Sequence, residues 1–170
     1  YTYYGRGPQN NYNDRKTGAF IEQHTSTVKD QFVDFPKPQS MGNREEVRWC
    51  ALTDKEGNGV EFVMNHPLSV SALPWSALEM TLAPHPYQLP KSTGTHLHLD
   101  AAVTGLGGNS CGQGGPLEQD RVKAGNYEMS FVIRPVKNGD YVQTAKVAEA
   151  GEMPLSVSRS RNGLVTINSP

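Results

Sequence analysis

Tyr3-Tyr4-Gly5-Arg6-Gly7-Pro8-Gln9-Asn10-Asn11-Tyr12-Asn13-Asp14-Arg15 is the stretch that decides how this chain is read. A strand-like aromatic start breaks at Gly-Arg-Gly-Pro and enters a loop dense in Asn and Asp. Glycine lets the backbone double back, proline ends a hydrogen-bonded ladder, and Asn and Asp bond their own backbone in turns. Arg6, Asp14 and Arg15 are placed to cross-brace that loop through charge-assisted hydrogen bonds. The pattern is that of a β-strand handing over to a built loop.

The same grammar extends along the chain. Glycine and proline supply 17 and 12 of the 170 residues, and Thr, Val and aromatics alternate between them. Many short strands with well-punctuated turns follow, so the expected fold is all-β, a sandwich of mostly antiparallel strands. The length holds one such sandwich and leaves no room for a TIM barrel beside it. A formal net charge of −1 without a basic block gives no electrostatic footprint for nucleic acid. No apolar run approaches the roughly 20 residues of a membrane-spanning helix. A start at Tyr1 reads as a fragment or processed piece, and the compartment stays open, with a periplasmic or secreted setting placed ahead of a cytoplasmic one. Cys50 and Cys111 either pair or stay as two free thiols, the second ranking first.

Period-2 alternation predicts a strand over 17–27, with Ala19, Ile21 and Gln23 on one face. Strands over 44–53 and 59–64 flank a longer hairpin loop at 54–59. Residues 70–75 read as irregular, and Ser76 as the N-cap of a turn or two of helix reaching Leu82. His96–Asp100 and Tyr127–Arg134 read as strands around a Gly-rich loop at 105–115. That loop fits neither a P-loop nor a dinucleotide fingerprint. Residues 137–170 read as a linker followed by a hairpin around Asn162-Gly163, a final hairpin or the start of a following module. The main domain is therefore placed at 1–136.

Four ordered blocks carry a resemblance. They are the opening run, Pro38-Gln39-Ser40-Met41-Gly42-Asn43-Arg44 with Val47-Arg48-Trp49, Ser71-Ala72-Leu73-Pro74-Trp75 with His85-Pro86, and Leu97-His98-Leu99-Asp100 with Gly105-Leu106-Gly107-Gly108-Asn109. Together they resemble the C-terminal, "small chain" domain of family-2 glycoside hydrolases of the β-galactosidase type, a supersandwich akin to the galactose-mutarotase fold. Asn10 and Ser40 stand where that pattern carries Glu, which removes two carboxylates. Arg44, Glu46 and Arg48 read as one strand face, an Arg–Glu–Arg set.

The resemblance implies a retaining β-galactosidase as parent, with two glutamates about 5 Å apart on a separate TIM barrel. No catalytic residue is expected here, and the isolated piece should be inert. The domain would brace the barrel, and a loop matching Glu56, Gly57 and Asn58 would border the galactoside pocket. Gly57 sits where some relatives place a sugar-stacking tryptophan. Cofactors are expected to be absent from this piece, the parent's Mg²⁺ and Na⁺ lying mostly on other domains. His96, His98 and Asp100 share a strand face at a spacing that suits a metal, although an ordinary strand with a turn-anchoring Asp is preferred. Expected partners are the parent's barrel and, through exposed strand edges, a second copy. The competing reading is a free-standing carbohydrate-binding module.

Overall fold

The computed structural model describes residues 1–106 and 115–141, together with the backbone of 156–159 and 165–168. Six strands, β1 (Thr2–Gly7), β2 (Phe20–Thr25), β3 (Arg44–Thr53), β4 (Gly59–Leu73), β5 (His96–Asp100) and β6 (Phe131–Val136), form one antiparallel sheet. Its order is β2-β1-β3-β4-β5, with β6 also paired to β4. One six-residue helix, α1 (Ala77–Leu82), interrupts the strands. The chain is all-β, and mostly antiparallel, as expected. β7 (Ser156–Arg159) and β8 (Val165–Asn168) pair antiparallel as a separate two-stranded sheet. Those spans match the tail hairpin read from the sequence, while its Asn162-Gly163 turn lies outside the described residues. So does the Gly-rich loop from 107 to 114, with Cys111.

β4 runs much further than expected. Residues 70–75, read as irregular, continue the strand to Leu73. Between the pairs Trp49↔Val63 and Val47↔Leu68, the β4 residues 64 to 67 stand opposite Arg48 alone. Pro67 falls inside this bulge, where its missing N–H costs no ladder bond. The bulge lets β4 serve two partners along one edge, β6 beside Gly59–Met64 and β5 beside Ser69–Leu73. β6 itself starts at Phe131, four residues later than predicted, and Tyr127 and Met129 are exposed ahead of it. β2 is likewise shorter than the predicted 17–27 strand.

The main core lies on one face of the sheet, where Tyr3, Val47, Met64, Leu68, Val70 and Ala72 are buried. Each large side chain here contributes on the order of 1.5–3 kcal/mol through burial. Gly5 permits a close approach of β1 to β3, since a Cβ there would lie 2.8 Å from Val47 Cγ2. A second cluster, Met41, Leu73 and Met80, seats α1 against the segment that follows β2. Ser76 caps α1 as predicted, with a reciprocal capping box to Glu79. The C-terminal carbonyls of the helix are closed from outside. Lys37 Nζ donates to Met80 O at 3.3 Å, Thr81 O at 2.7 Å and Ala83 O at 2.6 Å.

The Arg44–Glu46–Arg48 face does not exist as read. β3 is irregular between Arg44 and Trp49, and Glu46 adopts a φ of 55°. Arg44 is consequently buried, while the Glu46 carboxylate reaches Arg6 Nε at 3.0 Å and Lys16 Nζ at 3.1 Å. Period-2 counting fails wherever a bulge resets the pleat.

Candidate functional site

The opening loop is tied down by its least conspicuous residue. Asn11 is buried, and its Nδ2 donates to the carbonyls of Arg6 and Gln9, both at 2.9 Å. Its Oδ1 accepts from Glu45 N at 2.9 Å, and its own N–H donates to Asn43 O at 2.8 Å. Asn43 Nδ2 returns the bond to Asn11 O at 2.9 Å and also donates to Glu45 Oε1 at 2.7 Å. Ser69 Oγ donates to that same carboxylate oxygen at 2.9 Å. Loop, β3 and β4 are thereby joined in one buried polar cluster. Arg6 adds the brace expected of it, donating to Ala19 O at 2.8 Å, but its ionic partner is Glu46. Asp14 accepts from Leu106 N at 3.0 Å, linking the loop to the far side of β5.

Glu45 and Glu46 both line a polar cleft of about 350 Å³ with Lys16, Asp120, Arg121 and Tyr127. Three carboxylates, Glu45, Glu46 and Asp120, line it, and its chemistry is unlike a glycosidase centre. A retaining pair needs one carboxyl kept protonated near neutral pH beside a free nucleophile. Burial pushes the Glu46 carboxyl up, but hydrogen bonds and charge from Arg6 and Lys16 outweigh it and leave the group below the usual carboxylate range. Glu45 is already engaged by Asn43 and Ser69.

The loop residues read as pocket-bordering form a closed turn. Asp54 Oδ1 accepts from Glu56 N at 3.0 Å and from Asn58 N at 2.8 Å. Gly57 has a φ of +80°, and a Cβ there would lie 2.6 Å from Gly139 N. The turn after β6 covers this tip, with Gly139 N donating to Gly57 O at 2.9 Å and Asn138 N to Asn58 Oδ1 at 3.2 Å. The Glu56 side chain points into solvent. Tyr141 then stacks on Trp49 at 5.4 Å, so the packed body reaches past β6.

His96, His98 and Asp100 lie along β5 as read. His96 Nε2 stands 3.7 Å from Glu79 Oε2, whereas burial raises the Asp100 carboxyl against the opposing pull of His98. No three His, Cys, Asp or Glu side chains converge on a common point among the described residues. Cys50 is a free, fully buried thiol, and burial pushes its pKa far up, which makes it a packing residue. Asn11 and Glu45 escaped the sequence reading. The one signal for them was the Asx density of the loop, which does not say which Asn turns inward.

The profile of the β-galactosidase small chain matches residues 1–133. That range spans all six strands of the main sheet up to the middle of β6. The chain belongs to the β-galactosidase small-chain family. It is 34% identical over 136 residues to a β-galactosidase of Priestia megaterium, covering 79% of this chain and 13% of that protein. Against the β-galactosidase of Halalkalibacterium halodurans identity is 32% over 132 residues, or 77% and 13% of the two chains. Against that of Lactobacillus delbrueckii subsp. bulgaricus it is 40% over 110 residues, 64% and 11%. The small-chain domain thus spans about an eighth of the length of the relatives it matches.

Proposed function

We propose that this small-chain domain is a non-catalytic part of a retaining β-galactosidase, where it braces the catalytic barrel and borders its galactoside pocket. The observation that carries the reading is the match over 1–133 to a segment covering 13% of relatives named β-galactosidase. The commitments of Glu45 and Glu46 support it, since neither is free to act as acid or nucleophile. Any Mg²⁺ or Na⁺ the whole enzyme uses belongs mainly to other domains. The purified chain is expected to leave a chromogenic galactoside uncleaved, and the whole polypeptide to lose activity when this domain is deleted. Turnover by the chain alone overturns the reading. Within the whole enzyme, Glu56→Ala is expected to raise KM a few-fold and leave kcat near its starting value; unchanged KM removes Glu56 from the pocket.

One feature favours the carbohydrate-binding alternative. Tyr87 is 82% exposed and stacks flat on His85 at 5.4 Å, offering an aromatic face of the kind sugars pack on. Saturable shifts of the Tyr87 ring on adding lactose to the isolated chain would favour that module.

A further inference from the structure

Among the described residues, Arg44 is the one Lys or Arg that is buried, at 4% exposure. Its guanidinium is held by neutral oxygens throughout. Nε donates to Tyr3 Oη at 2.9 Å, Nη1 to Gly42 O at 2.9 Å and Asn43 O at 3.1 Å, and Nη2 to Gln31 Oε1 at 2.6 Å. A guanidinium carries five N–H groups, so one on Nη2 is left over. None of the ion pairs among the described residues includes Arg44. A cation removed from water without an anion is costly, because neutral acceptors satisfy its hydrogens but not its charge.

Arg44 is nonetheless reachable. It lines a cleft of about 410 Å³ walled by Tyr3, His24, Gln31, Ser26 and Asn10. Among the described residues the sole acidic one in that lining is Asp30, an exposed rim residue whose carboxylate is held by Thr27 Oγ1 at 2.7 Å and Thr27 N at 3.2 Å. The cleft therefore has a buried positive floor and a mostly neutral polar wall. We propose that it is a carboxylate-binding site, filled by a small carboxylate from solution or by an acidic side chain of another polypeptide segment, with the Arg44 guanidinium as its counter-charge. The remaining Nη2 N–H gives one directed, charge-assisted hydrogen bond, which a carboxylate oxygen accepts better than the larger, spherical chloride. The inference rests on Arg44 and its cleft and stands apart from the β-galactosidase assignment.

The experiment follows the Arg44 Nε–Hε resonance of the 170-residue chain during titration with sodium acetate, and in a second arm with the α-amide of N-acetylglutamate, each against sodium chloride at matched ionic strength. A saturable shift with acetate and none with chloride is expected. A shift with both carboxylates means that an acidic side chain fits, and a shift with acetate alone assigns the site to small carboxylates. Gln31→Glu places a carboxylate where Oε1 already meets Nη2, and should weaken acetate binding at least tenfold. No saturable shift in either arm, equal shifts with chloride, or an undiminished response in Gln31→Glu overturns the proposal. Should that variant fail to fold, the wild-type titration decides alone.

Discussion

Asn11 uses both ends of its amide, bonding the loop's own Gln9 carbonyl, Arg6 O in β1 and Glu45 N in β3. Asn11→Ala therefore removes two donors and an acceptor at once and leaves the buried N–H of Glu45 unmatched. Stranding such a group costs on the order of 1–3 kcal/mol, so a loss of roughly 2–3 kcal/mol in denaturant unfolding is expected. Asn13→Ala, two residues along and exposed, should stay within about 0.5 kcal/mol. Glu46 gives a second handle at this scale. Its folded carboxyl titrates below its unfolded one because Arg6 and Lys16 outweigh burial. The stabilisation is complete above the ordinary glutamate pKa of about 4.3 and fades as pH falls through the lower folded value. Glu46→Gln should flatten that part of the stability profile and change little of its slope above pH 6. The residues behind both effects were poorly legible, since neither Asn11 turning inward nor Glu46 twisting out is a property of their neighbours in sequence.

Elements were legible where their causes are local. Ser76 followed by Glu79 states its capping box within four residues, and His96–Asp100 alternates without interruption, so α1 and β5 came out at the expected places. β4 did not, because a proline in a run normally marks a strand's end. Only the partner strands reveal that Pro67 sits in a bulge where no donor is needed. The tip at 54–58 was legible as a turn, but its cover by Asn138 and Gly139 joins residues some eighty positions apart. At α1 the local and the distant meet. Its N-terminus is closed by its own residues and its C-terminus by Lys37, whose charge suits the negative end of a helix. Ser76→Ala is expected to cost about 1 kcal/mol. Lys37→Met, exposed but holding three carbonyls, should cost a comparable amount, about 1 kcal/mol, and the two losses should add in a double mutant if the ends act independently. Thermal unfolding of the three variants checks this.

For the molecule as a whole, the sheet's order leaves β2 outermost, paired among the described residues to β1 alone. Phe20 at its start is 74% exposed, and a bare strand edge with an apolar flank is the kind of surface that recruits another strand. Self-association through this edge is expected to appear as a concentration-dependent dimer in sedimentation, and Phe20→Lys should shift it to monomer. A monomer at all concentrations would leave the edge to the rest of the polypeptide. The opposite side of the sheet carries its own reporter. Trp49, 2% exposed, stacks with the rings of Tyr4 at 6.5 Å and Tyr141 at 5.4 Å. One of those plates arrives from beyond the last strand of the sheet, so the indole's emission reads out whether the outgoing polypeptide is still fastened down. Nicking the backbone ahead of Tyr141 should redden and brighten that fluorescence while the strands themselves stay paired.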